Sequence, residues 1–140
     1  MKKFALSMMI ALVVTLSANI CAAYYYDNDP DYVFVTSLAA SGGWYTYLYL
    51  PSVDVQEYNP PHYQIAGRFV MYNKYSDETN ELYIIKRFNW HTKETFTKSP
   101  YTKGQFIRDN VKGNSNPEIS SRQFADALFR AAYGMDFYGY

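Results

Sequence analysis

Tyrosine occupies every second position between Trp44 and Leu50, in the segment WYTYLYL. A period of two is typical of a β-strand, whose successive side chains point to opposite faces of a sheet. One face of this predicted strand carries mostly apolar residues: Trp44, Thr46, Leu48 and Leu50. The other face, which we call the tyrosine face, carries Tyr45, Tyr47 and Tyr49. Pro51 predicts the end of the strand, because proline has no N–H to donate to a neighbour.

Four further segments predict strands. Residues 32–38 (YVFVTSL) are β-branched and aromatic, as strands favour. Residues 63–75 and 81–90 alternate on either side of the turn SDETN. Residues 95–98 form a short last strand after the turn HTKE. Because short connections join neighbouring antiparallel strands, we expect these segments to form a meander.

The C-terminal third changes to a helical period, which predicts a helix over residues 121–133. Its apolar residues recur three or four positions apart: Phe124, Leu128, Ala131 and Met135. Ser120 and Gln123 have the spacing of a capping box at its start. Gly134 suits its end, because glycine readily adopts the left-handed conformation that stops helices. Arg122 is expected on the outer surface of this helix.

Together the elements predict an α+β fold, a meandering antiparallel β-sheet with one C-terminal α-helix packed on one face. A single helix covers only one face, and the Trp44 side is the more apolar, so we place that side under the helix. Residues 99–116 have no clear period and predict an irregular connection. We expect Phe137 and Tyr138 to fold back and close the edge of the core.

The tyrosine face should then be open to solvent, and Tyr45, Tyr47 and Tyr49 are the candidate binding residues. Tyrosine suits this position because it combines strand propensity with a polar tip. Two interpretations stay open. The rings form a structural cross-strand ladder, or they form a platform that binds a partner, since tyrosine-rich surfaces are common in recognition sites.

The N-terminus has the layout of a secretory signal peptide. Lys2 and Lys3 precede an apolar stretch at residues 4–16, and the small residues of SANICAA follow. The predicted organisation is a signal peptide at 1–23, a flexible leader at 24–31 and one α+β domain at 32–140. The apolar stretch is short for a membrane anchor, and Ile20 is large for the position before a lipidated cysteine. We therefore expect export to the periplasm, the cell surface or the extracellular space.

Cleavage at this point changes the composition. The chain contains one cysteine, Cys21, so the mature domain would have no disulfide. The 13 basic residues balance 13 acidic ones, and loss of Lys2 and Lys3 leaves a slightly acidic domain. That balance gives no reason to expect nucleic acid as a partner, because nucleic-acid binding calls for a basic stripe. No transmembrane segment is expected after signal removal, and no cofactor or metal is implied.

Two stretches and the terminal helix carry a resemblance: YLYLPSVDVQEYNPPHYQIAG and YIIKRFNWHTKETF. They resemble small exported bacterial proteins of unknown function from Gram-negative-type Firmicutes, and their layout is similar to surface-adhesin protein E-like domains. Residues 50–53 and 88–93 match the short motifs of those domains. The resemblance covers most of residues 32–135 and implies a meandering sheet with a C-terminal helix and an adhesin-like role. Pro51 and the lack of a mature cysteine depart from the pattern.

Catalytic motifs are sparse. The chain has two histidines, His62 and His91, which stand in predicted loops without metal-ligand spacing. No nucleophile-elbow or phosphate-loop motif is present. We therefore expect a non-enzymatic protein that binds another protein or an envelope component through the tyrosine face. The alternatives are a structural or periplasmic accessory domain with no ligand, and a cryptic hydrolase that uses His62 or His91.

Overall fold

The computed structural model describes residues 26–38 and 42–139, so the predicted signal peptide lies outside the described residues. The elements, in chain order, are β1 (Tyr32–Leu38), β2 (Trp44–Asn59), β3 (His62–Asn73), β4 (Thr79–Asn89), β5 (Glu94–Lys98), a 3-10 turn (Pro100–Thr102), β6 (Ile107–Arg108) and α1 (Asn116–Tyr133). The six strands lie in one sheet in sequence order, and each is antiparallel to its neighbour. The predicted α+β meander with one C-terminal helix is confirmed.

Helix α1 packs on the side of the sheet that the sequence predicted. Leu48 is fully buried there, in one apolar cluster with Leu128 and Phe129 of the helix. Phe69 of β3 faces the same way, and its ring lies 4.5 Å from that of Phe124. The apolar stripe of β2 therefore lies under α1, because burial of that stripe removes the most apolar surface from water.

The strand β2 continues through Pro51, so the prediction that the strand ends there is wrong. The pairing with β3 shifts register between Tyr49 and Asp54, which leaves Pro51 in a bulged stretch of the strand. A proline is tolerated at a bulge because its missing N–H is not needed for the ladder. The hydroxyl of Ser52 replaces ladder hydrogen bonds at this bulge. It accepts a hydrogen bond from the backbone N–H of Arg68 at 2.8 Å and donates one to the carbonyl of Tyr49 at 2.6 Å.

Gly67 lies opposite this bulge, directly under the helix. A Cβ atom built on it would stand 2.6 Å from Cδ2 of Leu128 and 3.1 Å from Cδ1 of Leu48. Both leucine side chains are fully buried, so they have little room to move away. Glycine at this position therefore sets how closely α1 approaches the sheet.

Helix α1 begins at Asn116, five residues before the predicted start. The capping box is formed by Ser115 and Glu118 rather than by Ser120 and Gln123. The backbone N–H of Ser115 donates to Oε2 of Glu118 at 2.9 Å. The sequence Ser-Asn-Pro-Glu is well suited to start a helix, because proline is well tolerated in the first turn.

The end of α1 is as predicted. Gly134 adopts the left-handed conformation, with φ 73°, and its N–H donates to the carbonyl of Arg130 at 2.8 Å. The chain then folds back, so that the buried ring of Phe137 lies 5.1 Å from that of Phe88. The hydroxyl of Tyr138 lies 3.0 Å from that of Thr95 on β5. The expectation that this tail closes the edge of the core is confirmed.

Two local expectations are wrong. The connection predicted to be irregular contains the short strand β6, where Ile107 pairs with Thr97 of β5. Arg122, expected on the outer surface of the helix, is buried, and its Nη1 donates to the carbonyls of Val111 and Gly113. The burial of Arg122 depends on carbonyls in a connection without periodicity, so the pattern of the helix alone does not indicate it. In the ranges 26–38 and 42–139, no helix combines the length and apolar character needed to cross a membrane.

Candidate functional site

Tyr47, at the centre of the tyrosine face, is only 1% exposed, so the expectation that it is open to solvent is wrong. The ring of Tyr26 stacks on it with a centroid distance of 5.2 Å, and the ring of Phe34 contacts it edge-on at 5.8 Å. The Tyr47 hydroxyl donates to Oδ1 of Asp27 at 2.9 Å. Tyr47 is therefore buried under residues that precede the first strand and under a ring of that strand.

Burial also changes the acidity of this tyrosine. Desolvation raises the pKa of Tyr47 well above its usual value, and the bond to the Asp27 carboxylate raises it further. Both effects penalise the phenolate form, because a buried negative charge next to a carboxylate is unfavourable. Tyr47 is thus a neutral hydrogen-bond donor that ties residues 26–31, the part of the predicted leader that the structure describes, to the sheet. The flexibility of that leader stays a prediction.

Tyr45 and Tyr49 are partly exposed at either side of Tyr47. The Arg68 guanidinium lies 4.5 Å from the centre of the Tyr49 ring, a distance suited to cation–π attraction. Its Nη1 also lies 3.2 Å from Oε2 of Glu81. On the other side, Nζ of Lys74 lies 3.3 Å from the Tyr45 hydroxyl.

Two further aromatic rings on this side of the sheet are exposed. Phe34 pairs with Tyr47 in the β1–β2 register and is 51% exposed. Tyr83 pairs with Arg68 in the β3–β4 register and is 47% exposed. We call the accessible part of this side the exposed patch, which consists of Phe34, Tyr45, Tyr49, Arg68 and Tyr83. The alternation of residues 81–90 predicts a strand but does not by itself connect Tyr83 with the tyrosines of β2.

A buried lysine on the helix side was missed by the sequence analysis. Lys86 of β4 is 2% exposed and occupies an inward position between the buried residues Ile84 and Phe88. Its Nζ donates to Oγ1 of Thr97 and to Oδ2 of Asp109, both at 2.7 Å. The Thr97 hydroxyl in turn donates to Oδ1 of Asp109 at 2.7 Å. The sequence signal was a lysine at an inward position of an alternating strand.

Two opposing effects act on the charge of Lys86 in this triad of Lys86, Thr97 and Asp109. Desolvation lowers the pKa of Lys86, while the Asp109 carboxylate favours its charged form. Two cavities meet at Asp109, one of about 230 Å³ towards the helix and one of about 580 Å³ towards the C-terminal tail. Lys86 lines the helix-side cavity together with the apolar residues Leu82, Ile84 and Phe124.

Among the residues that the structure describes, neither His62 nor His91 forms an ion pair with a carboxylate. His62 and His91 are both exposed, at neighbouring turns of the sheet, where Asn89 pairs with His62 and accepts from the backbone N–H of His91. Among the described residues, no three His, Cys, Asp or Glu side chains come together as they would around a metal ion.

No family model, curated protein or solved structure matches this chain. The resemblance to surface-adhesin protein E-like domains therefore stays a prediction. The exposed patch and the cavities are the features that bear on function, because a fold of this kind does not by itself define an activity.

Proposed function

We propose that this chain is an exported, non-enzymatic binding protein whose exposed patch contacts another protein or a component of the cell envelope, in the manner of an adhesin. The observation that carries the proposal is the exposure of Phe34 and Tyr83, at 51% and 47%, on the side of the sheet away from the helix. Large aromatic rings on a strand side that is otherwise well packed are typical of contact surfaces.

The composition of the patch supports binding. Binding energy in protein interfaces concentrates in tyrosine, tryptophan and arginine, and the patch places Arg68 against Tyr49 between Phe34 and Tyr83. The buried Tyr47 beneath them holds the patch in shape, since its ring is covered and its hydroxyl is bonded. Rigid support of this kind lowers the entropy that binding must overcome.

A structural accessory role is the second candidate, and the burial of Tyr47 favours it. Tyr26, Tyr32, Tyr47 and Tyr49 form a chain of ring contacts with centroids 4.9 to 5.2 Å apart. Such a cluster stabilises the sheet whether or not a partner is bound. The two roles differ in what the exposed parts of Phe34 and Tyr83 do, because packing of Phe34 against Tyr47 still leaves about half of its surface in solvent.

Site-specific photocrosslinking in the cells that export the chain tests the proposal. Benzoylphenylalanine is placed at Phe34, at Tyr83 and, as a control, at Ala131 on the exposed side of α1. We expect one adduct of the same mass from positions 34 and 83 and none from position 131. Equal adducts from all three positions, or none from 34 and 83, would contradict a role for the patch in binding.

A further inference from the structure

Position 86 carries a charge where the fold would accept an apolar side chain. Ile84 and Phe88, its inward neighbours on β4, belong to the apolar core. A buried ion pair adds little to stability, because the cost of desolvating two charges offsets their attraction. Stability alone therefore does not account for the Lys86–Asp109 pair, and both residues line a cavity between β4 and α1.

We propose that the cavity beside Lys86, between β4 and the first half of α1, is a binding site for a small neutral ligand. The ligand has a carbonyl or amide oxygen that accepts a hydrogen bond from Lys86 and an apolar body that fills the cavity. This site lies on the opposite side of the sheet from the exposed patch, so it is independent of the binding role proposed above.

The hydrogen bonds of Lys86 indicate that the ligand carries a hydrogen-bond acceptor. An ammonium group has three N–H donors. Two of them bond to Thr97 and Asp109, at 2.7 Å each. In the described part of the chain no bond occupies the third donor, and the side chain lines the cavity. A buried N–H of this kind gains most from an acceptor that a ligand brings.

The charges argue that the ligand is neutral. Lys86 and Asp109 already balance each other, since their charged atoms lie 2.7 Å apart. A carboxylate ligand would leave a net negative charge in a site of low polarity, which is costly. A neutral carbonyl accepts from Lys86 without disturbing the pair.

The other residues that line the cavity indicate the size and polarity of the rest of the ligand. Leu82, Ile84 and Phe124 supply apolar surface, while Ser120 and Ser121 of α1 supply hydroxyls. The volume of about 230 Å³ accommodates one substituted ring or a short branched chain. Apolar walls with a few convergent polar groups are typical of small-molecule sites.

The test uses three simple probes that differ in one feature. Benzamide has a ring and a neutral acceptor, ethylbenzene has no acceptor, and benzoate has a charged one. Each is titrated into the purified, ¹⁵N-labelled chain, and backbone amide signals are followed by NMR. We expect benzamide to shift the signals of Ile84, Ser121 and Phe124 in a saturable manner, with a Kd on the order of 1 mM for a molecule of this size. Ethylbenzene and benzoate should bind more weakly.

Variants connect the binding to the lysine. Lys86→Met keeps the length of the side chain without its donors and should weaken benzamide by about tenfold or more, while ethylbenzene binds as before. Should this variant fail to fold because Asp109 loses its partner, the double variant Lys86→Met/Asp109→Leu removes both charges and should give the same result. Lys74→Met, at an exposed lysine on the other side of the sheet, is the matched control and should change neither affinity.

Three results would overturn the proposal. The first is that no probe shifts the cavity signals, which would mean that the cavity holds water only. The second is that benzamide and ethylbenzene bind equally to the wild type, or that Lys86→Met and the double variant leave benzamide affinity unchanged. The third is that benzoate binds more tightly than benzamide, which would show that the site accepts anions.

Discussion

Replacement of Tyr47 by serine tests whether strand β2 is buried on both sides. The ring is 1% exposed, with Tyr26 stacked above it at 5.2 Å and Phe34 beside it at 5.8 Å. Truncation of a buried aromatic side chain costs about 3–5 kcal/mol, and less where the surroundings can collapse into the space. Because Tyr26 precedes the first strand and lies outside the sheet, its segment can close into part of the space, and we expect about 3 kcal/mol.

The hydroxyl of Tyr47 can be separated from its ring. Tyr47→Phe removes only the 2.9 Å bond to the Asp27 carboxylate. Asp27 is exposed to solvent, so this bond should contribute only about 1 kcal/mol. The difference between the serine and phenylalanine variants, about 2 kcal/mol, then measures the packing of the ring under Tyr26.

Urea denaturation followed by tryptophan fluorescence and far-UV circular dichroism measures the free energies of unfolding. Tyr45→Ser is the matched control, because Tyr45 is partly exposed on the same strand side, and it should cost no more than about 1 kcal/mol. A Tyr47→Ser variant as stable as Tyr45→Ser would contradict the burial of the Tyr47 ring. That outcome would mean that residues 26–31 do not cover the sheet in solution.

Four further outcomes are expected. Leu128→Ala, under the centre of α1, should lower the free energy of unfolding by about 2–5 kcal/mol; an effect below 1 kcal/mol would mean that the helix is not packed there. Gly67→Ala should cost about 1–3 kcal/mol because its Cβ meets Leu128 at 2.6 Å, and a stabilised variant in the same urea assay would contradict this. The free energy of unfolding should fall as the pH rises above about 10, because the raised pKa keeps the Tyr47 hydroxyl protonated in the folded state while it ionises in the unfolded state. The same pH series on Tyr47→Phe should give a shallower fall, and identical slopes would argue against the raised pKa. Intact-mass measurement of the exported protein should show the loss of residues 1–23, whereas a mature chain that retains residues 4–16 or begins at a lipidated Cys21 would disprove the predicted processing.

Much of the sheet could be predicted because its strands follow simple local patterns. The alternation from Trp44 to Leu50 indicated both the strand and the side that faces the helix, since only one side is apolar. The continuation of β2 past Pro51 was missed because it depends on a bulge that Ser52 stabilises through β3. That contact joins residues far apart in the chain, and no single segment contains its signal.

The candidate site was predicted less well, for the same physical reason. Tyr47 has the local pattern of its neighbours Tyr45 and Tyr49, and it differs only because Tyr26 and Asp27 cover it. Lys86 is bonded to Asp109, which lies in a connection without periodicity, so the pair appears only once the chain is folded. Sequence patterns therefore indicated the sides of the sheet but not which residues close over them.

The most direct test of the binding role measures the affinity of the partner that is crosslinked at positions 34 and 83. Calorimetry compares its binding to the purified wild type, to a double variant of the patch and to a control variant of the helix. The double variant Phe34→Ser/Tyr83→Ser should weaken binding by about 2 kcal/mol or more, roughly 30-fold, as expected for a hot spot. The same variant should lose about 2 kcal/mol of stability, less than Tyr47→Ser, because both rings are about half exposed. Ala131→Ser on the helix should bind as the wild type does. Unchanged affinity in the double variant would contradict the account and leave the tyrosines a structural role alone.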